Sequence, residues 1–217
     1  MERVTIGETF LSLNLDKSVR IIDIACGTGA VAMELVAEGY SNIDGLDCMK
    51  SYLEVAKANN LYKTYFHTAV EPLVKLPIDN DTYDVLLCCA GFFQGLMSPR
   101  VFPELIRIVK PGGYLMWNIA EGYEYFGKDF ESYDMIIDEL RAARKWDYCS
   151  PMQKVDRLVF TDSGAAYLGG YAGDGLDTKG FIYTMKKLWS STIWLFFSGN
   201  PERAIIVINQ YMEIAYY

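Results

Sequence analysis

The chain has 217 residues, 51% hydrophobic and 22% charged, which supplies apolar surface for one real core and excludes both a disordered chain and two full domains. Lys plus Arg number 20 against 28 Asp plus Glu, a formal charge of −8, so general electrostatic attraction to nucleic acid is disfavoured and none is expected as a partner. Five cysteines (Cys26, Cys48, Cys88, Cys89, Cys149), odd in number and two of them adjacent, suit neither a disulfide framework nor zinc-ligand spacing.

Reduced thiols in a cytoplasmic protein follow as the simpler expectation. Met1-Glu2-Arg3-Val4-Thr5 lacks the basic lead into an apolar stretch that marks a secretory signal, and no apolar run approaches the ~20 residues of a membrane-spanning helix. Val19 to Ile24 is short, β-branched and followed by a glycine turn, the pattern of a buried strand. Gly29 to Ala37 carries helix-spaced apolar residues and stops at Gly39. The alternation continues with Asn42 to Asp47 as strand, Lys50 to Ala58 as helix and Thr64 to Thr68 as strand, which argues for right-handed βαβ units and a parallel sheet. Tyr83 to Cys89 is the near-continuous apolar run of a central strand covered on both faces. Pro99 to Val109 reads as a helix ended by Lys110-Pro111-Gly112-Gly113, Tyr114 to Asn118 as the next strand, and about Lys128 to Lys145 as an amphipathic helix. Val155 to Thr161 and Gly180 to Lys186 are strand-like, with a glycine-dense hairpin or loop between them. Residues 1–187 form one expected domain, and 188–217 an atypical apolar extension that covers the core or, as a sharper alternative, meets a partner or membrane surface.

The chemistry concentrates in Ile21-Ile22-Asp23-Ile24-Ala25-Cys26-Gly27-Thr28-Gly29. A glycine turn between a first strand and a first helix lets backbone approach a ligand and points helix N-terminal amides at it. Ala25-x-Gly27-x-x-Ala30 also comes near the dinucleotide fingerprint, so a nicotinamide enzyme has to be weighed. Asp23 argues against it: a carboxylate at the mouth of the first strand repels a pyrophosphate but suits the ammonium of an amino-acid moiety. Asp47, 20 residues past Gly27 at the end of the second strand, is placed to accept both ribose hydroxyls of either cofactor.

These residues, followed by Gly45-x-Asp47, Asp81-x-Tyr83-Asp84-Val85 and Lys110-Pro111-Gly112-Gly113, are ordered as in class I S-adenosylmethionine-dependent methyltransferases, which the chain resembles over about residues 19–120. Leu61-Tyr62, Glu71-Pro72 and Pro103-Glu104-Leu105 narrow the resemblance to a methyltransferase-like branch and extend it to about Asp147. The resemblance implies an α/β fold, Rossmann-like and doubly wound, with a mostly parallel seven-stranded sheet and an antiparallel last strand. It implies S-adenosyl-L-methionine as cofactor, with Asp23, Ala25, Cys26, Gly27, Thr28 and Gly29 around the methionine part and Asp47 on the ribose. Cys48 and Met49 then lie beside the adenine, Ala69 and Val70 at its edge, and Cys89 or Ala90 along the sulfonium; no metal is implied.

Two departures accompany the resemblance. The family's helix with an aromatic residue, which closes over the cofactor, has no obvious counterpart ahead of Val19, so an open site is expected, with Phe10 and Leu11 the nearest substitutes. Thr68-Ala69-Val70 stands where relatives have an acidic residue near the adenine amine. His67 is more ordinarily a packed or solvated histidine than a base, and Gly122 to Asp129 only mimics a phosphate loop because Asp129 replaces its Ser/Thr. Gly91 to Gln94 and Asn118 to Tyr123 follow the fourth and fifth strands, where open α/β sheets bind ligands. The function expected is methyl transfer to an unidentified small-molecule or protein acceptor, with no catalytic residue assigned, because an activated methyl requires chiefly alignment and exclusion of water. The alternatives are a cofactor-binding or interaction protein without turnover and, less favoured, a nicotinamide-dependent oxidoreductase.

Overall fold

The computed structural model describes residues 5–158, 178–189, 194–197 and 204–207. The amphipathic segments alternate as expected: β1 (Ile21–Ile24), α2 (Ala30–Ala37), β2 (Ile43–Asp47), α3 (Lys50–Ala58), β3 (Tyr65–His67), β4 (Tyr83–Cys88), α4 (Phe102–Ile108), β5 (Val109–Ala120) and α5 (Tyr133–Ala142). Ahead of them stands α1 (Ile6–Ser12), and after them β6 (Trp146–Tyr148), β7 (Gln153–Leu158) and β8 (Thr178–Lys187). The strand order is β3-β2-β1-β4-β5-β8-β6, with β7 also on β8. Every pairing from β3 to β5 is parallel, whereas β8 runs antiparallel to β5. Strands β6 and β7 pair in line along the same edge of β8, Trp146 to Tyr148 opposite Lys187 to Met185 and Gln153 to Val155 opposite Ile182 to Gly180. The sheet thus holds eight strands in seven positions, and its antiparallel member is the last of them in the chain.

Side-chain alternation along β1 sorts the core into two layers. Ile21 joins Val31, Leu35 and Leu53 of α2 and α3, with Phe10 of α1. Ile22 and Ile24 join Phe102, Leu105 and Ile137 of α4 and α5. Helices therefore cover both faces, which is why β4 reads as one continuous apolar run and has four consecutive buried residues, Val85 to Cys88. The second layer is densely aromatic: Trp117 stacks on Tyr183 with ring centroids 5.0 Å apart, and donates its indole N–H to Tyr133 Oη at 2.6 Å.

The structure corrects several sequence boundaries. The N-terminal residues contain a helix after all. Thr5 and Glu8 form a reciprocal capping box at the start of α1, and Ile6 and Phe10 are buried in the layer against α2. Strand β5 begins at Val109 and runs through the Lys110-Pro111-Gly112-Gly113 turn, an irregularity absorbed where the pairing with β4 shifts from Tyr83 to Val85. Helix α5 is shorter than its amphipathic pattern, because Gly127 sits at φ +100° and the turn through Phe130 precedes the helix. The glycine-dense stretch after Thr161 lies outside the described residues, as does most of the region after Trp189, where the described backbone is an antiparallel pair, β9 (Trp194–Phe197) with β10 (Ala204–Val207).

Candidate functional site

The strand order reverses at β1: the chain moves outward through β2 and β3, then crosses to β4 on the other side. Loops leaving the carboxyl ends of β1 and β4 diverge there and leave a crevice. A cavity of about 440 Å³ occupies it, within the usual range for a small-molecule or cofactor site. Its walls come from the ends of β1 to β4 and the segments that follow them, the first turns of α2 and α3 included, with one residue, Ala120, at the end of β5.

The first wall is the turn Ala25 to Gly29. Ala25, Gly27 and Gly29 all take left-handed φ, +54°, +55° and +94°. Cys26 N–H donates to Leu46 O at 3.0 Å, which ties the turn to β2. Gly27 lines the cavity, and a Cβ placed on it would meet nothing within 4 Å, so the backbone is bare toward a ligand. Gly29 does not line the cavity; it caps α2, and a Cβ there would collide with Leu61 Cδ1. Its glycine is required by packing behind the turn. Ala25 occupies a left-handed position without being glycine, and Ala90, at φ +58° after β4, does the same. Both flank the cavity, which places backbone strain at the site.

Asp23 and Asp47 supply the charge. Asp23 is 1% exposed and accepts a 2.7 Å hydrogen bond at Oδ2 from Tyr62 Oη. No buried polar side-chain atom among the described residues lacks a partner, so Oδ1, which has no protein hydrogen bond, opens to the cavity that Asp23 lines. Burial pushes the Asp23 carboxyl up to about 7; the Tyr62 hydrogen bond pulls the other way and the Asp47 charge adds to the rise. Tyr62 is held in turn by Gly45, on which any side chain would strike the tyrosine ring at 2.7 Å, and by its own N–H donating to Tyr65 Oη at 3.1 Å. Asp47 accepts the Gly27 N–H at Oδ2, 2.8 Å, and the Met49 N–H at Oδ1, 2.7 Å. A carboxylate has about four acceptor sites, so two stay open for hydroxyls.

Of the residues expected from the sequence, Asp23, Ala25, Cys26, Gly27, Thr28, Asp47, Cys48, Met49, Ala69, Val70 and Cys89 all line the one cavity, and Gly29 alone stands behind it. Cys26 is a buried thiol and Cys89 a partly buried one, and desolvation pushes the ionisation of both up, Cys89 to about 12, so neither is a thiolate nucleophile. His67 is exposed, lies 3.1 Å from Cys48 O through Nε2, and is not part of the lining. Of the two loops proposed from their position, Gly91, Phe92 and Phe93 line the cavity, whereas only Ala120 does so from the second. Asn118 acts from behind: its Oδ1 accepts the Ala90 N–H at 2.7 Å and its Nδ2 faces Cys89 Sγ at 3.5 Å, which fixes the turn after β4. Residues 5–15 contribute nothing to the lining.

The donor set fits S-adenosylmethionine: one buried carboxylate for an ammonium, one for ribose hydroxyls, a bare glycine turn between them, and no Lys, Arg or His among the described lining residues to favour a pyrophosphate. Comparison with known proteins agrees. Residues 21–113 match a methyltransferase domain family. Human methyltransferase-like protein 27 is 32% identical over 132 residues, 60% of this chain and 52% of the relative. The demethylmenaquinone methyltransferase of Bacillus licheniformis is 29% identical over 126 residues, 55% of this chain and 53% of the relative. The chain spans about half the length of these curated relatives. An S-adenosylmethionine-dependent methyltransferase of known structure from Methanosarcina mazei superposes with a TM-score of 0.58 at 17% identity, covering 87% of this chain and 100% of its own, which shows a shared fold. Residues 21–113 thus match the methyltransferase domain family, and the mixed sheet around them shares its fold with the solved S-adenosylmethionine-dependent methyltransferase from Methanosarcina mazei.

Proposed function

We propose that the protein transfers a methyl group from S-adenosylmethionine to a small-molecule acceptor, and that the cavity at the β1/β4 crevice is where it does so. The observation that carries this reading is the convergence of Asp23, Gly27 and Asp47 on one cavity, with open acceptor positions on both carboxylates. In this reading Asp23 holds the ammonium, the Gly27 backbone lies along the methionine part, and Asp47 accepts the ribose hydroxyls while keeping the glycine turn closed through Gly27 N–H. Cys48, Met49, Ala69 and Val70 sandwich the adenine, and the turn at Cys89 and Ala90, held by Asn118, borders the reacting methyl. When bound, the cofactor would supply an activated methyl on a sulfonium, whose departing sulfur would keep the bonding electrons while an acceptor's lone pair took the methyl. The chain's own contribution is then to align the two partners and keep water out.

Residues 1–187 are proposed as the methyltransferase domain and 188–217 as an appendage. A cytoplasmic setting suits the reduced thiols and the absence, among the described residues, of any helix long and apolar enough to cross a membrane. Calorimetric titration with S-adenosylhomocysteine and, separately, with nicotinamide dinucleotides tests the cofactor reading. Saturable binding of the first alone is expected; tighter binding of a dinucleotide would overturn it. Release of S-adenosylhomocysteine during turnover distinguishes an enzyme from a binding protein.

A further inference from the structure

We infer that the methyl acceptor is an uncharged, apolar small molecule that enters over the Gly91–Met97 loop and lays its apolar body against Phe93 and Leu96; this rests on the cofactor reading above. The cavity has two halves of different chemistry. All its carboxylates, Asp23, Asp47 and Glu71, come from the β1, β2 and β3 ends. The side beyond β4 presents Phe92, Phe93, Leu96 and Met97, with Ala120 from β5. Once the cofactor occupies the acidic half, the apolar half is what an acceptor meets.

Charge narrows the class further. Among the described lining residues no Lys, Arg or His balances an acceptor's negative charge, and Glu71, which the cofactor reading leaves unused, opposes it. A cationic ammonium has no lone pair with which to take a methyl group. A neutral nucleophile on an apolar frame satisfies both limits. The loop is also preformed as a wall: Met97 N–H donates to Gly91 O at 3.2 Å, Leu96 N–H to Phe93 O at 3.0 Å, and the Phe93 ring packs on Phe126 with centroids 4.5 Å apart. Leu96 lines the cavity while 48% exposed, and Met49 lines it from the β2 side while 46% exposed, so aliphatic side chains stand at the mouth in water.

The test uses the full chain saturated with S-adenosylhomocysteine and two probes that share one ring system, neutral 2-naphthol and anionic 2-naphthoate, titrated by calorimetry at pH 7. The proposal expects 2-naphthol to bind at least about tenfold tighter than 2-naphthoate, and Leu96→Asp to weaken 2-naphthol at least about fivefold with S-adenosylhomocysteine affinity within about twofold of wild type. Phe93→Ser repeats the comparison at the wall of the loop. Equal or tighter binding of 2-naphthoate, no binding of 2-naphthol, or wild-type 2-naphthol affinity in both variants overturns the proposal. Failure of S-adenosylhomocysteine itself to bind overturns the cofactor reading instead, and the two failures are separately visible.

Discussion

Replacing Asp23 by Asn should change the pH dependence of stability and of cofactor binding in opposite directions. In the folded chain the Asp23 carboxyl is pushed up to about 7, first by burial, whereas its ordinary value is 3.8. The folded state therefore keeps a proton that the unfolded state releases. Its contribution to stability is fully present below about pH 4 and is lost as pH rises through about 7. Three pH units at 1.36 kcal/mol each set the loss at up to about 4 kcal/mol by pH 8. Asn retains an oxygen to accept from Tyr62 Oη and cannot ionise, so the variant should lack that loss; urea melts of both proteins from pH 5 to 8 measure the difference directly. An ammonium placed at Oδ1 needs the ionised form, so for wild type binding strengthens where stability weakens. From pH 6 to 7.5 the ionised fraction of the free protein rises from about one tenth to about three quarters, and affinity for S-adenosylhomocysteine should rise roughly eightfold, with about 0.9 proton released on binding at pH 6. The Asn variant should bind more weakly at pH 7.5 and with a flatter profile. Comparing the two proteins subtracts every pH effect that is common to both. Parallel stability profiles, or equal affinities that track each other across this range, would refute the assignment of Asp23.

Four further outcomes are expected. Asp47→Ala should weaken S-adenosylhomocysteine binding by about 1.5–3 kcal/mol through the lost charged acceptor, and should also lower the melting temperature because the Gly27 and Met49 N–H groups lose their partner; unchanged calorimetric affinity in a folded variant would contradict the ribose assignment. Gly27→Val should abolish measurable binding, since it puts a β-branched side chain at φ +55° into the cavity, whereas Gly29→Ala should destabilise the fold through Leu61 without filling the cavity; wild-type affinity in Gly27→Val, or wild-type urea stability in Gly29→Ala, would contradict these roles. Tyr62→Phe removes the hydrogen bond that opposes the rise at Asp23, so the midpoint of the binding pH profile should move upward; an unmoved midpoint would deny Tyr62 this positioning role. Ala25→Gly should relieve a left-handed alanine and leave stability unchanged or raise it by up to about 1 kcal/mol, and a clear loss in chemical denaturation would show that the methyl group packs usefully.

The strand ends that build the cavity were legible because a parallel sheet writes its topology in spacing. Asp23, Gly27 and Asp47 lie on consecutive βα connections, and the α3 boundaries agree with the apolar pattern to the residue. What escaped has physical reasons. Tyr62 meets Asp23 across 39 residues, and nothing local to Tyr62 marks that partnership. Asn118 sits inside a strand and works through the backbone of Ala90, so its residue type alone says nothing. Helix α1 did carry a signature, the Thr5-x-x-Glu8 capping box, but with seven residues its apolar periodicity is too short to register. Strand β6 has three residues and is defined by its place in line with β7 on β8, a relation that exists only once β8 is in position.

The central claim is that Asp23 and Asp47 hold one S-adenosyl ligand from two adjacent strand ends, and a crystal structure of the chain with S-adenosylhomocysteine tests it most directly. The account predicts both ribose hydroxyls within hydrogen-bond reach, about 2.6–3.2 Å, of the Asp47 carboxylate, and the amino group on Asp23 Oδ1 with the methionine part over Gly27. A ligand seated elsewhere on the molecule, or in this cavity with its ribose away from Asp47 and its ammonium away from Asp23, would contradict it.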